Sequence, residues 1–377
     1  MVAEQQQGQG QQQERTERAG AGRTGGSGRL RVTVAVAVVA AGLAFGGVTA
    51  TTAHPAQDAG RSPQGACAEV RDKVERLEGR ITPNACAFMK RQIAFGEMPT
   101  GTPPGPGELS HPRVRAYLDI FDEEATLWEA GGAPQRGRTT IGNSITGSLR
   151  LVPDLRYTGT EVVADGAVMM FGQRNEVTVK GHEVSYPQIA RNVLSDDGKT
   201  IQARRYYDRH ALFAPIAPEL RPLFEGIADA GPATGGRAPE RFRSEELTAR
   251  LAAWNGEDAS ALTARTGSAG LTGPGLARPL TTTAGKTAYL QRFFERADVK
   301  LQAGQVAFGG ETAYVEWHGK VTGLEGVDAN GPREVDIPFG IVERFGPHGE
   351  WEVYFDTLPL IADKEQIGAL YQRLAQP

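Results

Sequence analysis

The sequence predicts an α+β fold made of two tandem units, each with helices at its start and a run of antiparallel strands after them. Three observations lead to this prediction. Helical periodicity opens each half of the chain, hairpin signals follow it, and one strand in each half ends on Tyr-x-Asp, in "GKTIQARRYYD" and in "GEWEVYFD". The chain of 377 residues is long enough for two ordinary domains and for tails.

Each half begins with two helical signals. Apolar residues recur at helical spacing, at Val114, Leu118 and Phe121 in the first half and at Leu247, Leu251 and Trp254 in the second. A glycine followed by a basic residue then opens a second short helix, at Gly137 in "GRTTIGNSI" and at Gly285 in "GKTAYLQRF". The same order of signals in both halves indicates a duplicated unit.

Two hairpins follow the helices in each half. The first turns at Asp165-Gly166 in one half and at Gly309-Gly310 in the other. The second starts near a proline and ends on the Tyr-x-Asp strand. We therefore place the two units at residues 67–225 and 244–377, with a linker rich in proline and glycine at residues 226–243.

The composition excludes several classes of function. The formal net charge is -4 with 23% charged residues, so no basic excess is present and a nucleic-acid partner is not expected. The six histidines show no metal-ligand spacing with cysteine or acidic partners, and no cofactor fingerprint is found. The sequence therefore predicts neither a metal nor a cofactor.

The N-terminal region has the features of an export signal. Residues 1–31 are rich in Gln, Gly and Arg and are predicted to be disordered. Residues 32–50 follow with an almost uncharged stretch, Val32 to Val48, and a small-x-small site that ends at Ala50. A cleaved signal peptide, an uncleaved membrane anchor through residues 32–48 and a buried core helix all fit this stretch. We expect an extracytoplasmic protein, secreted or anchored, with a linker at residues 51–66.

The two cysteines, Cys67 and Cys86, raise a geometric problem. Export favours one disulfide between them. However, Val70, Val74, Leu77 and Ile81 have helical spacing, and a second helix starts with Thr82 as its N-cap and Pro83 after it. A straight antiparallel pair of helices would hold the cysteines too far apart, so the bond requires a short or obliquely crossing first helix. Free buried cysteines are the alternative.

Several motifs together resemble one known family. They are "FDEEATLWEAGG", "GRTTIGNSI", "PDLRY" and "DGKTIQARRYYD" in the first half, and "WNGEDASAL", "GKTAYL" and "WEVYFD" in the second. This pattern resembles tandem SnoaL-like domains of the nuclear transport factor 2-like superfamily. The resemblance implies that each unit is a cone of helices on a curved sheet around one apolar pocket. It also implies that the units pair sheet to sheet as an internal pseudo-dimer.

The resemblance also implies catalytic candidates. In relatives similar to polyketide cyclases the acid/base is an aspartate of the closing strand, and the matching positions here are Asp208 and Asp356. Strand alternation puts Tyr206 on the face of Asp208 and Tyr354 on the face of Asp356. We expect this face to be the interior of the cone, where burial would raise the carboxyl pKa toward neutral pH. The alternative is that each aspartate pairs with an arginine or caps the next segment.

Two weaker groups lie on other strands. Arg174 and Glu176 share a strand face, and with Asp208 they loosely resemble the acid-Arg-acid set of limonene epoxide hydrolases; a solvated strand edge is the alternative. Glu316 and His318 alternate on one face in the second half and could transfer protons. The alternative for this pair is an ordinary polar face.

Two classes of function therefore remain open. The first is a module whose apolar pockets bind a small hydrophobic ligand or a partner, and we favour this class. The second is a cofactor-independent isomerase, cyclase or epoxide hydrolase that uses Asp208 or Asp356 as its acid/base. The first requires pockets lined by apolar and aromatic residues, and the second requires several ionisable groups that converge in one pocket.

Overall fold

The structure is a computed structural model that describes residues 67–228, 243–328 and 331–376. The predicted tail, the export signal or anchor and the linker at residues 51–66 lie outside these ranges, as does most of the linker at residues 226–243. Within the described ranges, no helix combines the length and apolar character needed to cross a membrane. All described residues belong to one compact unit.

The first half contains five α-helices and a seven-stranded sheet. The helices are α1 (Ala68–Arg71), α2 (Pro83–Gly96), α3 (Pro112–Asp119), α4 (Arg138–Leu151) and α5 (Arg209–Phe213). The strands are β1 (Val74–Gly79), β2 (Phe121–Trp128), β3 (Gln135–Arg136), β4 (Arg156–Asp165), β5 (Val168–Val179), β6 (His182–Leu194) and β7 (Thr200–Tyr206). Their order in the sheet is β1-β4-β5-β6-β7-β2-β3.

The second half also starts with helices and continues with antiparallel strands, and its sheet has five strands. Its helices are α6 (Ser244–Asn255), α7 (Ala259–Thr266), α8 (Thr283–Phe294), α9 (Leu358–Ile361) and α10 (Lys364–Ala375). Its strands are β8 (Gly270–Thr272), β9 (Val299–Phe308), β10 (Ala313–Asp328), β11 (Gly331–Phe345) and β12 (Glu350–Tyr354), in the sheet order β8-β12-β11-β10-β9. The α+β fold class is confirmed for the described residues.

The predicted helix starts and hairpins are largely correct. The Thr82 side chain accepts a hydrogen bond from the backbone N–H of Ala85 and so caps α2, with Pro83 in the first turn. Helix α4 follows Gly137 directly, whereas α8 starts at Thr283, two residues before the predicted Gly285. Both predicted hairpins of each half pair as antiparallel strands, β4 with β5, β6 with β7, β9 with β10 and β11 with β12.

The predicted first helix is wrong beyond its first turn. Helix α1 ends at Arg71, and the apolar residues from Val74 onward form strand β1, which pairs in parallel with β4. Phe121 likewise begins strand β2 and does not continue α3. In both places apolar residues spaced by three or four fit either element, and pairing with an available sheet edge decides the outcome.

The short first helix removes the objection to a disulfide. Because α1 has a single turn, the chain returns at once, and the Cα atoms of Cys67 and Cys86 lie 5.5 Å apart in a disulfide. This separation falls within the usual range for the bond. Both cysteines are buried beside Val70 and Val74 in the core of the first half.

The two sheets contact each other through a shared apolar cluster. Trp128, Val163, Met170, Ile189 and Tyr206 of the first half pack against Ala307, Tyr314 and Val342 of the second. All eight side chains are buried. The face of each sheet that points away from its own helices is therefore covered by the other half.

The segment that follows each Tyr-x-Asp strand crosses to the other half. Leu223 and Phe224, beyond β7, lie in the hydrophobic core of the second half, where the Phe224 ring stacks on Tyr289 at 3.9 Å between centroids. Leu370 and Leu374 of α10, beyond β12, pack in a cluster with residues of the first half. Each half therefore completes the core of the other.

We expect reduction of the Cys67–Cys86 bond to destabilise the protein. A loop of this size implies a loss of about 3 kcal/mol in the free energy of unfolding. Denaturant titration with and without reductant measures the loss, and a Cys67→Ser/Cys86→Ser double variant should be insensitive to reductant. Mass spectrometry of protein isolated from its native host should find the two cysteines oxidised; two free thiols would contradict the bond and would argue against export.

Candidate functional site

A cavity of about 130 Å³ lies in the first half between the sheet and helices α2, α3 and α4. Helix α10 of the second half closes one side of it with Tyr371 and Leu374. Apolar and aromatic side chains form much of the wall, namely Phe95, Tyr117, Leu127, Ile141, Ile145, Leu151, Val152, Leu155, Tyr157, Tyr186, Tyr207 and Leu212. The cavity is comparable in size to the engineered ~150 Å³ cavity that accepts benzene.

A chain of amide side chains forms the polar wall of this cavity. Gln173 Nε2 donates to Asn175 Oδ1 at 2.7 Å, and Asn175 Nδ2 donates to Gln188 Oε1 at 3.1 Å. Strand alternation places Gln173 and Asn175 on the cavity side of β5 and leaves Arg174 and Glu176 exposed on the other side. The bonds between the amides fix which of their atoms remain available to a ligand.

Two buried acceptors in the wall have no protein partner. Gln92 Oε1 and Gln173 Oε1 accept no hydrogen bond from the described residues, although their side chains are only 4% and 7% exposed. A buried acceptor without a donor costs about 1–3 kcal/mol. Two such oxygens in one cavity favour an occupant that donates hydrogen bonds.

A carboxylate and a guanidinium face the same cavity. Burial raises the pKa of Glu129, and the charge of Arg205 together with a hydrogen bond from Tyr207 opposes this rise. Burial also raises the pKa of Tyr117 to about 12, so its hydroxyl remains a hydrogen-bond donor at neutral pH. Arg205 Nη1 donates to Asn192 Oδ1 at 3.2 Å, which holds the guanidinium in place. The site thus combines one acid with several fixed donors.

Glu129 was not among the residues selected from the sequence. It lies directly after strand β2 in the quoted stretch "FDEEATLWEAGG", where three other acidic residues precede it. Its position at the end of a strand beside the cavity distinguishes it from Glu123 and Glu124, which are exposed. The positions of the four acidic residues in this motif do not indicate which one borders the cavity.

The predicted face of β7 is wrong. Arg205 and Tyr207 line the cavity, whereas Tyr206 points to the other half, where its hydroxyl donates to Glu316 Oε1 at 2.5 Å. Strand β7 ends at Tyr206, so Asp208 lies beyond the ladder and caps helix α5 through the backbone N–H of His210. The alternation of side chains along β7 was predicted correctly. However, the cavity lies on the face of Arg205 and Tyr207, opposite to the face of Tyr206 that was predicted to line it.

Asp208 and Asp356 cap each other's following segments. The backbone N–H and the hydroxyl of Thr357 donate to Asp208 Oδ1 at 3.0 and 2.8 Å. Reciprocally, the backbone N–H and Nε of Arg209 donate to the Asp356 carboxylate at 3.0 and 2.8 Å. Each aspartate therefore binds the residue that directly follows the other aspartate, at the point where the two segments cross. Asp208 caps helix α5 and Asp356 pairs with an arginine, so both residues fit the alternative to catalysis that the sequence left open.

The two carboxyl groups differ in their electrostatics. Burial, and after it the charge of Asp356, raises the pKa of Asp208 to about 6. Asp356 is paired with the buried Arg209 guanidinium, whereas no Lys or Arg nitrogen of the described residues forms an ion pair with Asp208. Asp208 is therefore the carboxyl group that can take up a proton near neutral pH.

Glu316 lies at the contact between the halves and is fully bonded. Arg191 Nε and Arg204 Nη1 of the first half approach its carboxylate at 2.9 and 3.3 Å, in addition to Tyr206. A bulge between β9 and β10 frees the Gln305 N–H, which donates to Glu316 Oε2 at 2.7 Å. Burial raises the pKa of Glu316, but the two arginines outweigh it and bring the pKa to about 2.

The remaining predicted residues do not converge on one site. His318 is half-buried, its Nδ1 lies 3.3 Å from Gln302 Nε2, and burial lowers its pKa to about 4. The Tyr354 hydroxyl donates to Glu352. Arg174 and Glu176 are solvated, as their alternative held, although β5 lies between β4 and β6 and is not an edge of the sheet. The catalytic roles assigned to these residues stay predictions.

A buried carboxylate lies among large aromatic side chains in the interior of the second half. Glu343 is fully buried and accepts from Arg250 Nε at 2.7 Å. Three indole N–H groups also donate to it, those of Trp254, Trp317 and Trp351, at 3.2, 2.7 and 2.9 Å. These donors compensate for burial of the charge and keep the pKa of Glu343 low, although burial itself raises it.

No group of three or more His, Cys, Asp or Glu side chains in the described ranges is arranged to hold a metal ion.

We expect Asp356→Asn to lower the free energy of unfolding by about 3–5 kcal/mol, because it leaves the buried Arg209 charge without its partner. Chemical denaturation measures the loss. Glu124→Gln is the matched control, since Glu124 pairs with Arg136 on the surface with side chains 77% and 75% exposed, and the change should stay within about 0.5 kcal/mol. Equal effects of the two variants would contradict the role of the crossing.

No family model and no curated protein matches this chain. The similar solved structures have SnoaL-like, nuclear transport factor 2-like and ketosteroid isomerase-like folds. A protein named as a SnoaL-like polyketide cyclase from Jannaschia sp. CCS1 is 13% identical, with 37% of this chain and 97% of that chain covered and a TM-score of 0.31. A ketosteroid isomerase-like protein from Catenulispora acidiphila DSM 44928 is 18% identical, with coverage of 33% and 90% and a TM-score of 0.28. A protein of unknown function from Burkholderia pseudomallei K96243 is 12% identical, with coverage of 34% and 95% and a TM-score of 0.27.

Proposed function

We propose that this protein is a ligand-binding pseudo-dimer of two SnoaL-like units, in which the first unit binds a small molecule and the second supports it. The observation that carries the proposal is the cavity of the first half, with its apolar wall and its two unpartnered amide oxygens. The buried Glu343 of the second half, which is bonded to Arg250 and to three indole N–H groups, supports the division between the units.

The pseudo-dimer is supported by contacts that occur in both directions. Each half supplies a carboxylate to an arginine and a tyrosine of the other. Glu161 accepts from Arg344 Nη2 at 2.7 Å and from Tyr314 at 2.6 Å, and Glu316 accepts from Arg191 and Tyr206. The first strand of the first hairpin in each half carries a bulge beside this carboxylate. The two carboxylates lie on strands that do not correspond, β4 and β10, but the two arginines lie on corresponding strands, β6 and β11. Together with the exchanged segments after β7 and β12, the arginines fit a duplicated unit that pairs with its copy.

The ligand follows from the wall of the cavity. Its body should be aromatic or aliphatic and of about benzene size, since the cavity has a volume of about 130 Å³. It should also carry a hydroxyl or amide donor for Gln92 Oε1 and Gln173 Oε1. A purely apolar molecule would leave both oxygens unpaired.

We expect benzyl alcohol to bind more tightly than anisole. The two isomers have the same number of heavy atoms, but only benzyl alcohol donates a hydrogen bond. Pairing of a buried acceptor is worth about 1–3 kcal/mol, so the ratio of dissociation constants should be at least about 5. Ligand-observed NMR titration measures both constants.

Two substitutions in strand β5, one on each face, test whether the ligand binds in the cavity. Gln173→Leu should reduce the preference for benzyl alcohol, because it removes the acceptor and keeps the volume. Arg174→Gln, on the exposed side of the same strand, should leave the preference unchanged. Equal affinity of the parent protein for the two isomers, or loss of the preference in Arg174→Gln alone, would argue against this site.

Cofactor-independent acid–base catalysis is the second candidate function. The raised pKa of Glu129 in the cavity favours it, because burial moves the pKa of this carboxyl group upward from its ordinary value, in the direction that acid–base catalysis near neutral pH requires. Asp208, whose pKa is about 6, is the corresponding candidate from the family resemblance, with Asp356 as its counterpart in the second half.

If the parent protein converts a member of a panel of enones, ketones and epoxides, Glu129→Gln should lower kcat by about 10²–10⁴. Asp208→Asn measures the separate role predicted for Asp208, since Asn retains the acceptor that Thr357 needs. Steady-state kinetics of both variants on the converted substrate provides the result. Unchanged kcat in both would exclude acid–base catalysis by these residues, and an inactive parent protein would favour the binding function.

An extracytoplasmic location completes the proposal. It rests on the sequence of residues 32–50 and is supported by the Cys67–Cys86 disulfide, a bond typical of oxidising compartments. The thiol measurement on protein from the native host, described with the disulfide, tests it.

A further inference from the structure

A second cavity, of about 220 Å³, lies where the two halves cross. Its wall combines the end of β7 and the start of α5 from the first half with β12 and the loop after β8 from the second. The loop contributes Gly273, where an added Cβ would lie 2.5 Å from the Tyr289 hydroxyl, so only glycine allows the backbone to approach. The cavity is thus a product of the contact between the halves.

The charged residues in this wall are both acidic. They are Asp208 and Glu352, and the wall contains no Lys, Arg or His. Glu352 is already neutralised, because Arg344 Nη1 donates to it at 2.9 Å. Asp208 receives hydrogen bonds only on Oδ1, from the backbone and hydroxyl of Thr357 and the N–H of His210, and no Lys or Arg of the described residues forms an ion pair with it. The charge of His210, which lies outside the wall, acts on Asp208 from behind. Asp208 therefore presents to the cavity a carboxylate that has no ion pair.

Aromatic rings make up much of the remaining wall. Tyr186, Tyr207, Tyr354 and Phe355 line it, and the rings of Tyr186 and Tyr207 lie 5.6 Å apart. An aromatic face attracts a cation, and the attraction exceeds that at an exposed site when the cation is desolvated. A carboxylate beside several rings is the arrangement that recognises ammonium ions.

We propose that the cavity at the crossing binds a small ammonium cation, with Asp208 as its counter-ion and the tyrosine rings around its alkyl groups. This site differs from the cavity of the proposed function and does not depend on it. A cation here would supply the partner that Asp208 lacks. It would contact both halves at once and so stabilise the crossing by mass action.

Calorimetric titration of the whole chain at pH 8 tests the proposal with choline and tetramethylammonium. At that pH the Asp208 carboxyl, whose pKa is raised to about 6 by burial and the charge of Asp356, is ionised. The control ligand is 3,3-dimethylbutan-1-ol, which has the shape of choline but no charge. We expect choline or tetramethylammonium to bind at least about tenfold more tightly than the neutral alcohol, a difference of about 1.4 kcal/mol. Equal affinities, or no ammonium binding, would overturn the proposal.

Three variants locate the site. Asp208→Asn keeps the acceptor for Thr357 and removes the charge, so it should abolish the tenfold preference while the protein stays folded. Tyr354→Leu should weaken ammonium binding, and Tyr354→Phe, which keeps the ring, should restore it. Glu124→Gln, which removes an exposed acid far from the wall of this cavity, should leave binding unchanged. Loss of the preference in Glu124→Gln, or its survival in Asp208→Asn, would place the cation elsewhere and refute the assignment.

Discussion

The reciprocal capping of Asp208 and Asp356 is the constraint on which the arrangement of the two halves depends. Each carboxylate binds the first residue after the other, so neither segment can leave its position without breaking the cap of its counterpart. Beyond this point Phe224 enters the second half and Leu374 covers the first. The cavity of the first half is closed by a helix whose path is fixed at the crossing.

Charge is buried around this crossing only where donors are available for it. Asp356, Glu316 and Glu343 each meet an arginine, and hydrogen bonds from backbone or indole N–H groups satisfy further lone pairs. Asp208 is the exception, with hydrogen bonds but no ion pair to Lys or Arg among the described residues. Burial, and after it the charge of Asp356, raises the pKa of Asp208, and this distinguishes the second cavity from the paired carboxylates.

The sequence predicted the elements well because their signals are local. Thr82 and Pro83 mark a helix start, and Asp165-Gly166 marks a hairpin turn, without reference to the rest of the chain. The strand β1 and the face of β7 were predicted wrongly because both depend on distant partners, the free edge of β4 and the second half. Glu129 was missed for the same reason, since only the fold shows which of several neighbouring acids borders the cavity.

The proposed duplication allows a difference between the halves that two identical subunits could not have. In a symmetric homodimer both interiors have the same residues. Here Gln188 follows Pro187 and borders the first cavity, whereas Phe339 follows Pro338 and packs among the rings of the second core. Five residues after each proline, Asn192 holds Arg205 beside the cavity, and Glu343 binds Arg250 in the second core. In a fused pair of copies, the residues that stabilise one interior need not be compatible with a ligand, and the other interior can keep a cavity for one.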